Sequence, residues 1–116
     1  MPLPLNVEML ALAYDYLCCL PPFSKWNMPP SEDVKFIVIR APDRYAHYQM
    51  VDGVHSIAVS TKFVGRHENL LSTMSHEMIH LHMKAARMSA RNPHGKAFQK
   101  LADEVCKIHD FDRLTF

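Results

Sequence analysis

The sequence predicts an α+β domain. It comprises an N-terminal helix, a three-stranded antiparallel sheet, a helix bearing His76-Glu77-Met78-Ile79-His80, and a C-terminal helix with His94 at its start. Two observations carry this expectation. Apolar residues recur at helical spacing over 6–20, 68–87 and 95–109. Between the first two of these lie three short runs rich in β-branched and aromatic residues, 33–40, 45–51 and 54–61. The length, 116 residues, and the 48% hydrophobic content suit one domain (1–116) with a core that needs no disulfide staples.

The first helix has Asn6 as its N-cap candidate, after Pro4. Val7, Leu10, Ala11, Tyr14, Leu17 and Cys18 are expected to face the core, and Pro21-Pro22 stops the helix. Prolines mark the following segment, through Pro29-Pro30, as a loop, in which Phe23 and Trp26 are expected to cover an edge of the core. Residues 33–40, DVKFIVIR, read as the first strand, and Ala41-Pro42-Asp43 reads as a turn. Asp52-Gly53 between two extended runs is a strong hairpin signal. The expected sheet is therefore an antiparallel meander, with Lys35 and Gln49 facing solvent and Gly65 marking the exit. In the second long helix Leu70, Leu71, Met74, Met78, Leu81 and Ala85 form one broad apolar face, with Thr73, His76 and His80 on a neighbouring face. Glu68 near its start and Lys84 and Arg87 near its end suit the helix dipole. The last helix is expected to turn Phe98, Leu101, Ala102, Val105 and Ile108 inward.

Net charge is +1, so no global electrostatic attraction to nucleic acid or to an acidic membrane is expected. Cys18, Cys19 and Cys106 form no C-x-x-C pair, and an odd count argues against a disulfide framework. They read as reduced, buried thiols. The N-terminus does not read as a signal peptide, because Glu8 and Asp15 interrupt its apolar run and no basic residue precedes Lys25. No stretch is apolar for the 18 or so residues that a membrane helix needs. A cytoplasmic location is expected.

Of eight histidines, His67, His76, His80, His82 and His94 fall between positions 67 and 94, a density that points to metal; His67 and His82 are read as surface histidines. Residues four apart on a helix share a face, so His76 and His80 aim their imidazoles at one point. Glu77 is rotated by about 100° and stands beside that point rather than on it. A carboxylate there can take a proton from a water on the ion. This is the H-E-x-x-H pattern of zinc hydrolases, mostly peptidases. Such an ion takes three protein ligands and keeps one open position, and His94 is the candidate for the third. Zinc is the metal that imidazole ligands with one open position suit. The strand Ile57-Ala58-Val59-Ser60 is expected to pair with an extended substrate by strand addition. Tyr45, Tyr48, His82 and Arg91 are donors by type for the tetrahedral intermediate, and packing or solvation is the preferred reading of each.

At these residues a family resemblance becomes specific. Leu70 to His80, followed by His94-Gly95-Lys96-Ala97-Phe98, resembles the SprT-like (Spartan) metallopeptidase domain, with its H-E-M-x-H and a later H-G-x-x-F/W. The resemblance covers roughly residues 7–110 and implies a zincin-like fold. It also implies that His76, His80 and His94 bind zinc and that Glu77 is the general base. In the best-understood members the substrates are proteins crosslinked to DNA. Many members carry a cysteine-paired zinc ribbon after the domain. This sequence stops at Phe116 without one and looks like a minimal version, as small bacterial or phage genomes encode. The cluster Lys84, Arg87, Arg91, Lys96 and Lys100 reads as a solvated helix face in preference to a phosphate-binding one, so at most a weak DNA association is expected. Two alternatives stay open: a zinc hydrolase acting on a non-peptide substrate, and a catalytically silent binding module that keeps zinc for folding.

Overall fold

The computed structural model describes residues 5–40, 46–61, 67–88 and 92–116, with the backbone alone for 67–69. Tyr45, Arg91, Gly65, the Ala41–Asp43 turn and the side chains of His67 and Glu68 lie outside what it describes. The chain runs α1 (Val7–Cys18), β1 (Val34–Ile39), β2 (Ala46–Val51), β3 (Val54–Ser60), α2 (His67–Ala85) and α3 (Lys96–His109), with two short 3₁₀ turns between α1 and β1. Among the described residues no helix is long and apolar enough to cross a membrane.

The helices start and stop for local reasons. Asn6, in extended conformation, caps α1 by accepting from the Met9 N–H at 2.8 Å. Leu10, Ala13, Tyr14 and Leu17 are the buried face of α1. Val7, at the first position of the helix, is 48% exposed instead of inward. Phe23 is buried, and Trp26 packs edge-on against it at 5.0 Å, so this pair does close an edge of the core. The thiols are free, but only Cys106 is buried. Cys18 is half-buried, and Cys19, the residue that caps α1, is exposed.

The sheet differs from the expected meander. Its order is β1-β3-β2, with β2 antiparallel to β3 and β1 parallel to it. The hairpin is as expected: Asp52 and Gly53 both adopt positive φ (50° and 78°), the pair of left-handed residues that a two-residue turn of matching twist requires. The difference lies in which strand takes the middle. Ser56 to Ser60 is buried continuously, as suits a strand covered on both sides and both faces, whereas Gln49, Met50 and Val51 of β2 are exposed. β3 is therefore central and β1 adds to its far side, in register from Val34↔His55 to Ile39↔Ser60. Lys35 and Gln49 do face solvent.

α2 occupies the middle of the molecule and packs against α1, β2, β3 and α3. Leu70, Met74, Met78 and Leu81 are buried as expected, and so are Ile79 and Met83. The apolar surface thus wraps most of the helix, leaving His76 and His80 on the remaining stripe. Ala85, the last residue of the helix, is exposed and borders a hollow shared with Met50 and His55 of the sheet. Each fully buried aliphatic side chain here contributes about 1.5–3 kcal/mol, which makes α2 a rigid carrier for what it displays. On α3, Phe98, Ala102, Val105 and Cys106 face inward, Leu101 is half-buried, and Ile108, in the last turn, is 45% exposed rather than inward.

Candidate functional site

His76 and His80 project from α2 one turn apart, with ring centroids 5.1 Å from each other. His94 comes to meet them from the turn that precedes α3. Its Nε2 lies 3.2 Å from His76 Nε2 and 3.0 Å from His80 Nε2. A tetrahedral zinc with Zn–N bonds of about 2.0–2.1 Å sets its nitrogens roughly 3.4 Å apart, so this spacing fits three ligands of one ion. The three side chains form a group that could hold a metal ion.

Separate devices aim two of the rings. His76 Nδ1 lies 3.0 Å from the Phe116 main-chain oxygen. This main-chain oxygen only accepts, so Nδ1 carries the proton and Nε2 turns its lone pair toward the cluster. His94 sits in the Asn92-Pro93-His94-Gly95 turn. Its N–H donates to Asn92 Oδ1 (3.0 Å), its carbonyl accepts from Gln99 Nε2 (3.0 Å), and the Gly95 N–H donates to the Asn92 carbonyl (3.0 Å). The turn is tight: a Cβ on Gly95 would stand 3.1 Å from the Asn92 oxygen. Beneath all three imidazoles lies one buried ring, Phe98. Its centroid is 4.8 Å from His76, 4.7 Å from His80 (stacked) and 4.8 Å from His94.

Burial holds His76 and His80 as neutral bases, and the neighbouring His94 adds to the effect at both. Each is lowered to about 4, so proton competition for the lone pairs is weak at neutral pH. Glu77 is 6% exposed, and burial pushes its carboxyl up to about 8. A nearby cation acts in the opposite direction on that carboxyl, favouring the anion.

The histidines and Glu77 open onto a cleft of about 420 Å³. Its opposite wall is β2, through Ala46, His47 and Tyr48. The expectation that residues 57–60 receive an extended substrate fails, because β3 is paired on both sides. Among the described residues the free edge beside the cleft belongs to β2. Of the donors named by type, Tyr48 lines the cleft and hydrogen-bonds His55 Nδ1 at 2.6 Å. Burial pushes its hydroxyl up to about 12, so it stays protonated. His82 is elsewhere, half-buried and stacked on Trp26 at 4.4 Å. Lys84 stands at the cleft rim, while Arg87 lies beside a second hollow, of about 630 Å³, further along β2. The Phe116 main-chain oxygen, Asn92 and Gln99 were not legible beforehand. For Asn92 a signal existed, since Asn before Pro-His-Gly favours a side-chain-bonded turn.

A model of the SprT-like family matches residues 27–114. The chain belongs to the SprT-like family. The match runs from the loop before β1 to Leu114 and takes in the edge strand, α2 with both of its histidines, and His94. The SprT-like family is associated with metallopeptidases, and the three-histidine group is consistent with metal dependence. A comparison with curated proteins gives no match.

Proposed function

We propose that this SprT-like chain is a zinc-dependent endopeptidase, with His76, His80 and His94 as the metal ligands and Glu77 as the general base. One observation carries the reading: three convergent imidazole nitrogens and a buried carboxylate open onto a cleft whose far wall is a sheet edge. Three ligands with an open side suit a catalytic metal better than a structural one, which four protein ligands would close. Zinc, when bound, polarises a carbonyl and lowers the pKa of water.

The remaining steps belong to the chain. The outer edge of β2, free among the described residues, receives the substrate as an added strand, which is how extended polypeptide is commonly held. That strand passes from the cleft toward the second hollow, where Met50, Met83 and Met88 offer apolar contact. Glu77 takes the proton of the attacking water and delivers it to the leaving amine. Its buried position suits both halves of that task, because burial raises its pKa toward neutrality, where the anion is a stronger base than a free carboxylate and the acid can still deliver its proton. The substrate is accordingly protein or peptide. DNA-bound proteins are the narrower class that the Lys84 and Arg87 charges beside the cleft would tolerate.

The test pairs two measurements on wild type and Glu77→Gln: zinc per chain, and cleavage of an unfolded protein followed by mass spectrometry. One zinc in both, with new peptide termini from the wild type alone, is the expected result. Equal cleavage by Glu77→Gln would overturn the assigned base. A folded wild type that takes up no zinc would overturn the whole reading.

A further inference from the structure

α3 ends at His109, where Asp110 enters the left-handed region (φ 58°, ψ 39°) and the Phe111 N–H closes back on the Cys106 carbonyl at 3.1 Å. Asp112 then reverses the chain. Its Oδ1 accepts from the Leu114 N–H (3.0 Å) and its carbonyl from the Thr115 N–H (3.2 Å). Residues 113–116 therefore turn back toward the histidine end of α3. There they make two kinds of contact. Arg113 donates through Nε to Asp103 Oδ1 at 2.6 Å and through Nη2 to Gln99 Oε1, and Gln99 in turn donates to the His94 carbonyl. Phe116 stacks on Phe111 (6.1 Å), lies against the His76 ring (5.3 Å), and accepts the His76 Nδ1–H.

We propose that residues 110–116 form a strap that positions two of the three histidines, His76 directly through the Phe116 main-chain oxygen and His94 through Arg113 and Gln99. The inference rests on the metal reading above and adds a positioning role for a segment whose last residues lie past the matched region, which ends at 114. The logic is geometric. An imidazole on a flexible side chain can present either nitrogen to a metal, and a fixed acceptor at one nitrogen leaves the other as the ligand. His76 obtains that acceptor from the strap. His94, on an exposed turn, obtains from Gln99 a restraint on its carbonyl, and Arg113 orients the Gln99 amide by occupying its oxygen. Strap and ligands thus form one connected set, Asp103–Arg113–Gln99–His94 on one side and Phe111–Phe116–His76 on the other.

The experiment uses Co²⁺ as the probe, because its visible absorption reports coordination geometry while chelator competition reports affinity. Four proteins are compared: wild type, a form lacking Thr115 and Phe116, Phe116→Leu, and Arg113→Ala. The deletion removes the acceptor and is expected to weaken Co²⁺ binding about 10–100-fold, as loss of a partner behind a ligand does, and to alter the absorption envelope. Phe116→Leu keeps both the main-chain oxygen and an apolar anchor and is expected to stay within about threefold of wild type. Arg113→Ala, at a half-exposed side chain outside the core, should fold normally and still weaken binding, by about tenfold. Wild-type affinity and spectrum in the deletion overturn the strap. If the deletion does not fold, the same result in Arg113→Ala overturns it. A strap that only packs would lower the melting temperature of the metal-free protein and leave both Co²⁺ readouts unchanged, which also overturns the proposal. Failure of the wild type to bind Co²⁺ instead overturns the metal reading on which it rests.

Discussion

Two regions bring the histidines together, and they are built on different principles. His76 and His80 stand on α2, whose Met74, Met78, Ile79 and Leu81 are fully buried around them, so tertiary packing fixes their positions. His94 stands on an exposed turn fixed by three hydrogen bonds of about 3 Å and one glycine. A core helix holds its side chains at the cost of whatever would unfold the domain, and a turn holds one at the cost of only a few local interactions. The first pair is therefore a permanent feature of the fold, and the third histidine is the adjustable member.

The sharpest way to test that contrast is to remove one ligand from each region. His80→Ala and His94→Ala are both expected to weaken zinc binding by on the order of 10²- to 10³-fold. A three- or four-ligand zinc site is bound by roughly 10–16 kcal/mol, and one ligand holds about a quarter of that. The two variants should resemble each other in chelator competition. Melting of the metal-free protein should leave His94→Ala near wild type, within about 0.5 kcal/mol, as for an exposed position. A large loss of metal-free stability in His94→Ala would break the comparison.

Next in size is Phe98, the ring on which both regions rest. Phe98→Ala is expected to cost about 3–5 kcal/mol in urea unfolding of the metal-free protein, from lost burial plus a cavity. Phe98→Leu should cost less and recover most of the metal affinity, since it refills the space beneath the rings. A smaller effect is expected at Gly95→Ala, whose Cβ would press on the Asn92 carbonyl: about 1 kcal/mol, with a several-fold loss of zinc affinity and no change in the α2 half of the site. Amide exchange that slowed or quickened equally at α2 and at residues 92–95 would contradict that locality.

Titration separates the two regions in another way. Burial raises Glu77 to about 8 from an ordinary 4.5, so the folded metal-free protein binds its proton more tightly than the unfolded chain does. The stability from that group is complete below pH 4.5 and is lost as pH rises through 8. His76 and His80, lowered from 6.5 to about 4, act oppositely: their stability is complete above pH 6.5 and is lost as pH falls toward 4. Melting of the metal-free wild type is therefore expected to rise to a maximum near pH 6.5 and decline toward 8. Glu77→Gln should show the acid limb without the decline. A decline of equal size in Glu77→Gln would mean that another group causes it.

The sequence disclosed these regions unevenly. Element positions were readable, because a period of 3.6 or 2 is a local property. Asn6 as a cap and Asp52-Gly53 as a turn were readable for the same reason. Strand order was not, because it depends on which strand is covered from both sides. The one clue was the uninterrupted small and apolar run Ser56-Ile57-Ala58-Val59-Ser60 set against the polar Gln49 in β2. In the site, the i, i+4 spacing of His76 and His80 is itself a geometric statement, whereas His94 was proposed from residue type and family likeness. The Phe116 main-chain oxygen could not have been proposed at all, since every residue carries a main-chain acceptor and only the fold selects one.

The place of β3 between its two neighbours also orders the assembly of the sheet. β2 and β3 are joined by two residues, so their pairing closes almost no loop, and hairpins of this kind form in about 1–10 μs. β1 must wait: its partner His55 lies 21 positions beyond Val34, and the parallel register gains nothing until that loop is closed. The cleft wall belongs to the early hairpin, and the strand that completes the sheet is the one farthest from the chemistry. A lesion in β1 should therefore slow folding while sparing, in the molecules that do fold, the wall that faces the histidines.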